Sequence, residues 1–128
     1  MKNFKKLVSI NFNRWKNALQ SKDPKKISKL YLRDAIFIPT FSQKLKIGQS
    51  EAEEYFQEFL KKNPKVRIIK RITKTIDKKH YLEAGIYEFN VGTKNDQSVV
   101  RCRFTFIWRY EQKEGWQILH HHSSLIPQ

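Results

Sequence analysis

The second half of the chain alternates apolar and polar residues with a period of two, which is typical of β-strands whose faces meet different surroundings. Four such segments, rich in β-branched and aromatic residues, span 66–76, 81–91, 98–110 and 116–124. Turns rich in Gly, Asn, Asp and Lys separate them. Because short turns join neighbouring antiparallel strands, the pattern predicts a four-stranded meander.

The first half of the chain begins with two helical patterns. Apolar residues recur every three or four positions over 4–20, which predicts an amphipathic helix. Asp23 and Pro24 are typical of a helix start, because the carboxylate caps backbone N–H groups and proline suits the first helical position. We expect Tyr31 on the buried face of this short second helix.

A short strand and a third helix complete the predicted elements. The strand covers 35–39 and ends at a proline. Ser50 and Glu53 form a capping-box pattern, which predicts the start of the third helix. Three helices followed by a long meander indicate an α+β fold, in which one curved antiparallel sheet carries the helices on one face.

Composition predicts one globular domain spanning 1–128, because 39% hydrophobic and 13% aromatic residues suffice for a single core. No window approaches the roughly 18 apolar residues of a membrane span. The basic N-terminus lacks the apolar run of a signal peptide, so we expect no membrane association. The lone Cys102 has no internal disulfide partner, which favours a cytoplasmic location.

The formal net charge of +14 is compatible with nucleic-acid binding, but the distribution of charge argues against it. The lysines are spread along the chain, and no segment combines them with aromatic residues on which bases stack. We therefore interpret the charge as a solvated basic surface, and we expect no nucleic-acid partner.

Parity sorts the strand residues into two faces. On the segment 98–110, aromatic residues occupy the positions that alternate with Arg101, Arg103 and Arg109. The aromatic set must face the helices, because burial of unpaired arginines is very costly. The last segment then places Leu119, His121 and Ser123 inward, and His120 and His122 outward.

The inward set predicts an aromatic cavity with a few polar groups, the usual composition of a small-molecule site. Its predicted lining residues are Trp15, Tyr31, Tyr55, Tyr87, Phe106, His121 and Ser123. A plain core with satisfied hydroxyl and imidazole groups is the alternative. His121 is the candidate general base if the cavity supports a reaction, because imidazole titrates near neutral pH.

The outward set is too mixed for a core and rather apolar for open solvent, so it predicts a contact between copies of the chain. The predicted interface residues are Glu88, Arg103, Thr105, His120 and His122. His120 and His122 share a face and are possible zinc ligands, but no third ligand is evident, so we expect no metal and no cofactor.

Several of these residues also belong to a pattern that covers nearly the whole chain. It resembles the association-domain family named for the hub of calcium/calmodulin-dependent protein kinase II. The most specific part is the closing His120 to Ser124 followed by Pro127. Earlier matches are Trp15, Asp23-Pro24, Leu30-Tyr31, Asp34-Ala35-Ile36, Pro39-Thr40, Tyr55-Phe56, Phe59-Leu60, Ala84 to Phe89, Arg103 to Phe106 and Trp116.

The resemblance implies the cone-shaped fold of the nuclear-transport-factor-2-like (SnoaL-like) superfamily, in which a bent sheet and three helices enclose a cavity. It also implies self-association into homodimers or larger rings. In the kinase hub, arginines that hold a carboxylate line the cavity. Those positions correspond here to Tyr87, Phe106 and Ser123, none of which is basic.

Residues and resemblance together favour a non-enzymatic, self-associating domain whose aromatic cavity binds an unidentified small molecule. The alternative is a small cofactor-independent isomerase, dehydratase or hydrolase that uses His121 as general base. A carboxylate within hydrogen-bond reach of the His121 ring would favour the enzyme, and its absence from the sequence pattern argues for the binding domain.

Overall fold

The computed structural model describes residues 3–127, which form three α-helices and one six-stranded sheet. The helices are α1 (Phe4–Gln20), α2 (Pro24–Ser28) and α3 (Gly48–Phe59), the last extended by a 3₁₀ turn (Leu60–Lys62). The strands are β1 (Tyr31–Ile38), β2 (Lys46–Ile47), β3 (Lys65–Asp77), β4 (His80–Thr93), β5 (Asp96–Glu111) and β6 (Gly115–Leu125). The predicted α+β class is confirmed.

The sheet has the order β2-β1-β6-β5-β4-β3, and the predicted meander forms its last four strands. Consecutive strands from β3 to β6 pair antiparallel, whereas β1 pairs parallel with β6. The parallel pair brings the N-terminal strand beside the C-terminal one. It therefore joins both ends of the sequence in one sheet and one core.

The short second helix is shorter than predicted, and Tyr31 does not belong to it. Asp23 caps α2 by accepting the backbone N–H of Lys25 at 3.0 Å, but the helix ends at Ser28. Tyr31 is the first residue of β1 and is fully buried. The helical spacing was misleading here because a strand that begins three residues after a helix can bury its first residue in the same core.

The third helix begins at Gly48, two residues before the predicted cap at Ser50. The carboxylate of Glu51, rather than that of Glu53, accepts the backbone N–H of Ile47 at 2.9 Å. Gly48 has a φ of +79°, and a Cβ there would lie 2.5 Å from the carbonyl oxygen of Arg33. This close approach lets β2 pair with β1 and turn directly into α3.

The sheet has an inner face, which packs against the helices, and an outer face, which does not. Phe104, Phe106, Tyr87 and His121 are buried on the inner face, and Arg103 and His122 are exposed on the outer face. The predicted sidedness is therefore confirmed. It follows from the side-chain period of two in strands that bury only one face.

On β6, the observed orientation of Ile118 and Leu119 differs from the predicted one. The β5–β6 register shifts between Ile107 and Trp108, so Ile118 lies opposite Trp108 and His120 lies opposite Ile107. Leu119 is the extra residue of this bulge and is only half-buried, whereas Ile118 is fully buried. The prediction of Leu119 as an inward residue was wrong, because a bulge adds one residue to the alternation.

Candidate functional site

The structure brings the seven predicted cavity residues together between the helices and the inner face. They come from six elements: Trp15 from α1, Tyr31 from β1, Tyr55 from α3, Tyr87 from β4, Phe106 from β5, and His121 and Ser123 from β6. Tyr55 is half-buried, and the other six residues are buried. Long-range strand pairing and two helices, α1 and α3, thus converge on one aromatic cluster.

The space left inside this cluster is very small. Its volume is about 10 Å³, whereas ligand pockets typically measure roughly 300–1,000 Å³. It corresponds to about one water molecule. Its lining residues are Trp15, Phe37, Pro39, Thr40, Tyr55, Phe56, Phe59, Tyr87, Phe89, His121 and Ser123. Small-molecule binding here stays a prediction, and it requires these side chains to move apart.

His121 lies at the centre of the cluster, between two aromatic rings on neighbouring strands. Its ring stacks on Phe106 with a centroid distance of 4.0 Å and on Phe37 with 4.9 Å. Both contacts follow from register, because His121 is the direct cross-strand partner of Phe106 on one side and Phe37 on the other. Only 1% of His121 is exposed.

Both ring nitrogens of His121 are occupied by tyrosine hydroxyls. The hydroxyl of Tyr31 lies 2.8 Å from Nδ1, and that of Tyr87 lies 3.1 Å from Nε2. The indole N–H of Trp15 donates to the Tyr31 oxygen at 3.1 Å. Because the indole is only a donor, Tyr31 is free to donate its own proton to Nδ1, which leaves Nε2–H to donate to Tyr87.

Burial determines the protonation states in this network. It lowers the pKa of His121 well below the usual value, and the nearby His120 and His122 lower it further. Burial also raises the pKa of Tyr31 and Tyr87 well above the ordinary range. At neutral pH the whole network is uncharged, so it can hold buried polar groups without a counter-ion.

No carboxylate contacts the His121 ring within the described part of the chain. Both nitrogens are already engaged, and no space for a substrate adjoins them. The contacts therefore match those of a structural imidazole with satisfied hydrogen bonds. None of them favours the role of His121 as general base, which stays untested.

A polar contact near the cavity was missed by sequence reasoning. The hydroxyls of Thr40 and Ser123 lie 2.6 Å apart, and Thr40 Oγ1 is 3.6 Å from the sulfur of buried Cys102. Thr40 comes from the loop after β1, which closes the cavity together with Pro39. Only the position of Thr40 directly after a strand-ending proline hints at this role.

A second buried polar cluster lies under α1 and was also missed. Glu83 is fully buried on the inner face of β4, and Arg71 Nε donates to its Oε2 at 2.7 Å. Burial raises the pKa of Glu83, and the Arg71 guanidinium opposes that shift. Alternation alone places Glu83 inward, because it shares parity with Tyr81 and Tyr87. Its ion pair explains why burial is tolerated.

The five predicted interface residues all lie on the outer face. Arg103 and His122 are exposed, and Thr105 is half-buried. Nδ1 of His120 lies 3.0 Å from the carbonyl oxygen of Ile36. Glu88 is 8% exposed and pairs with two arginines of the same chain, Arg67 at 3.0 Å and Arg101 at 3.3 Å. Glu88 thus has its partners within one chain.

Two rows of mostly aliphatic side chains cross this outer face, and we call them the outer apolar rows. His120, His122 and Thr105 interrupt them. The first row runs in register through Ile47, Ile36, His120, Ile107 and Leu82. The second runs through Ile38, His122, Thr105, Ala84 and Ile72. Ile36, Ile47 and Ile72 are 44%, 53% and 58% exposed. No described element covers them.

The remaining candidate sites are weak. Across residues 3–127, no three His, Cys, Asp or Glu side chains are grouped closely enough to hold a metal ion. None of the helices described there has the length and apolarity needed to cross a membrane. A surface groove of about 660 Å³ is lined by both cations and carboxylates, and Arg109 there pairs with Asp34 and Glu111.

Comparison with known proteins identifies one family. The family model of the calcium/calmodulin-dependent protein kinase II association domain matches residues 5–127. A solved structure from Xanthomonas campestris, assigned to the same association domain, is 34% identical with a TM-score of 0.90. The match covers 94% of this chain and 86% of that chain. Among curated proteins, no match is found.

More distant structures share the fold alone. A nuclear transport factor 2-like superfamily protein from Salmonella enterica is 17% identical, with a TM-score of 0.79 over 97% of this chain and 92% of that chain. A protein from Catenulispora acidiphila, solved in complex with S-DNPA, is 10% identical, with a TM-score of 0.84 over 98% and 95%. The expected fold family is confirmed.

Proposed function

The chain belongs to the calcium/calmodulin-dependent protein kinase II association-domain family, and we propose that it is a self-associating domain whose copies meet through the outer apolar rows. The observation that carries this proposal is the alignment of aliphatic side chains across the outer face, of which Ile36, Ile47 and Ile72 are exposed. An antiparallel sheet that faces solvent is normally polar on that side. Contiguous exposed apolar surface usually marks an interaction site.

The outer face suits a second copy of the same chain. Most closed oligomers of identical chains contain two-fold axes, and a two-fold contact uses the same patch on both partners. The outer apolar rows cross the sheet, with Thr105, His120 and His122 in their middle and the exposed Ile47 and Ile72 at their ends. Arg101 and Arg103 lie beyond these rows. Such a mixture suits a non-obligate interface, which is only about as apolar as the rest of a protein surface.

The inner face supports association indirectly. Its cavity of about 10 Å³ is filled by the chain's own aromatic side chains, so the sheet is a rigid platform for an interface. The domain acts by assembling copies of itself and whatever is attached to them. Catalysis is not required for this role.

The experiment is light scattering coupled to size-exclusion chromatography on the wild type and on Ile107→Asp. Ile107 lies in the middle of the first row, directly opposite His120 and Leu82. A buried aspartate at the centre of a contact is costly. We expect a dimer or larger ring for the wild type, and at least about a tenfold weaker association for Ile107→Asp.

The matched control is Ile10→Asp. Ile10 is 48% exposed on α1, on the opposite side of the molecule from the outer face. It introduces the same charge at an isoleucine outside the outer apolar rows, so we expect no change in assembly. A wild type that stays monomeric at high concentration, or equal loss of assembly in both variants, contradicts the proposal.

A further inference from the structure

The basic charge of the protein is concentrated along one margin of the sheet. Residues 61–79 contain nine lysines and arginines and one acidic residue, a net +8 of the chain's +14. This segment includes β3, the last strand of the sheet order. The prediction that the lysines are spread along the chain is wrong for this segment, although β3 contains no aromatic residue on which bases stack. The cations are close in sequence, and the position of β3 places them on one edge of the sheet.

Six of these cations form no ion pair within residues 3–127, whereas Lys61, Arg67 and Arg71 pair with glutamates. The six are Lys62, Lys65, Lys70, Lys74, Lys78 and Lys79. All of them are exposed. Carboxylates of the described residues therefore do not neutralise the positive electrostatic potential of these lysines, which attracts anionic groups to this edge.

The edge also has open backbone groups. β3 pairs with β4 on one side, and no described strand pairs with it on the other. Register shifts at Ile69 and Ile76 bracket a regular stretch from Lys70 to Thr75. Such a stretch presents N–H and C=O groups that an added strand can bond.

We propose that this edge of β3 binds an extended acidic polypeptide segment by strand addition. Ile72 is 58% exposed and lies between Lys70 and Lys74 on the same face of β3, so the fitting segment places an apolar residue between two acidic residues on that face, each two positions apart. A second copy of β3 is a poor occupant, because two basic edges repel each other. Nucleic acid is disfavoured because β3 has no aromatic side chain for base stacking.

This edge adjoins the outer apolar rows, because Ile72 ends one of them, but strand addition at β3 does not depend on self-association. Edge lysines are also known as a device against aggregation, which would need no ligand. The two explanations differ in one respect. A protective edge repels all strands, whereas a binding edge accepts a strand of opposite charge.

The test is fluorescence anisotropy with a labelled peptide that repeats Glu-Thr-Val-Thr, which places glutamate and valine in turn on one face of a strand. The control peptide has the same sequence with every backbone nitrogen N-methylated, which keeps the charge but removes the backbone donors of both edges. We expect the unmethylated peptide to bind at least about tenfold more tightly. Equal binding of both peptides means that charge alone acts, and it overturns strand addition.

Protein variants locate the site. Lys70→Glu/Lys74→Glu reverses two exposed edge charges, and Lys5→Glu/Lys6→Glu makes the same change in net charge on α1. We expect about tenfold or greater weakening in the first and less than about twofold in the second. Thermal unfolding and light scattering confirm that each variant is folded and assembles as the wild type does. Ile72 is left unchanged because it also ends one outer apolar row.

A labelled oligothymidylate provides the nucleic-acid comparison. We expect it to bind more weakly than the unmethylated peptide at equal salt. Tighter binding of the oligothymidylate, equal loss of peptide binding in both double variants, or no peptide binding at all overturns the proposal.

Discussion

The two faces of one sheet are made of alternate residues of the same strands, yet they are packed differently. Phe106 is fully buried on the inner face, where it stacks on His121. Ile107, the next residue, is half-buried on the outer face with no helix above it. The inner face leaves about 10 Å³ unfilled, and the outer face leaves whole aliphatic side chains exposed.

This difference in packing changes the interpretation of the two predicted sites. The inner site has the composition of a ligand pocket, but its aromatic rings fill it. The outer site has the composition of a sheet surface, but its aliphatic residues align into rows that no described element covers. Residue types alone therefore do not distinguish a cavity from a core, because the distinction depends on the volume that the side chains leave unfilled.

The largest expected effect is the difference in stability loss between a substitution on the inner face and one on the outer face. Phe106→Ala should lower the free energy of unfolding by about 3–5 kcal/mol, because it removes a ring from a packed core. Ile107→Ala should lower it by about 1 kcal/mol or less in the monomer. Urea titration at low protein concentration measures both. Similar losses for the two neighbours would mean that the faces do not differ in packing.

A smaller effect tests the hydrogen bonds of His121. Tyr31→Phe leaves Trp15 Nε1 and His121 Nδ1 without a partner in the core and should cost about 1–3 kcal/mol. Tyr110→Phe, at a tyrosine that is 42% exposed, is the matched control and should change little. If both changes prove equally mild, the buried network contributes no measurable stability.

The neutral state of His121 predicts a pH dependence. Its folded pKa is lowered well below the unfolded value of about 6.5, so acid protonates the unfolded chain first. Stability is therefore complete above about pH 6.5 and decreases as pH falls. Relative to His121→Gln, the wild type should lose about 1 kcal/mol between about pH 6.5 and 5.5.

Urea titrations of both proteins at each pH measure this difference. The raised pKa of Glu83 acts in the opposite direction, stabilising the folded chain as pH falls, but it is common to both proteins and cancels. Parallel pH profiles for the wild type and the variant would show that His121 is not held neutral.

The smallest expected effect is that of salt on assembly. Two copies carrying +14 each repel one another, so added salt should strengthen self-association by a few fold through screening. Peptide binding at the β3 edge should weaken under the same conditions, because opposite charges attract there. Sedimentation velocity and anisotropy across a salt series measure both trends. Assembly that weakens with salt would indicate an interface formed mainly by ion pairs rather than by apolar contact.

Most of the fold was predictable because strand alternation has a fixed period. It placed Phe106 and His121 inward and Arg103 outward, and the structure confirms this. It failed at Leu119, where a bulge inserts one residue, and at Tyr31, where a strand follows a helix closely. Bulges and abrupt element changes depend on tertiary packing, which no local pattern records.

The location of the aromatic cluster was predictable, but the dimensions of the space inside it were not. Trp15, Tyr55, Tyr87, His121 and Ser123 line that space, whereas the predicted Tyr31 and Phe106 do not, and its volume depends on rings such as Phe37 and Phe56.

Glu83 was missed because a carboxylate on an inner face is tolerable only with Arg71, which is 12 residues away. The basic edge was missed because the position of β3 at the edge of the sheet depends on the strand order.

The central claim is that copies meet through the outer apolar rows. The most direct measurement is the distance between spin labels attached to Thr105→Cys, with Ile10→Cys as the comparison; the native Cys102 is buried. Two sheets packed face to face lie about 10 Å apart. We expect a short, narrow distance distribution for labels at position 105 and a longer one at position 10. A short distance at position 10, with none at position 105, would contradict the account.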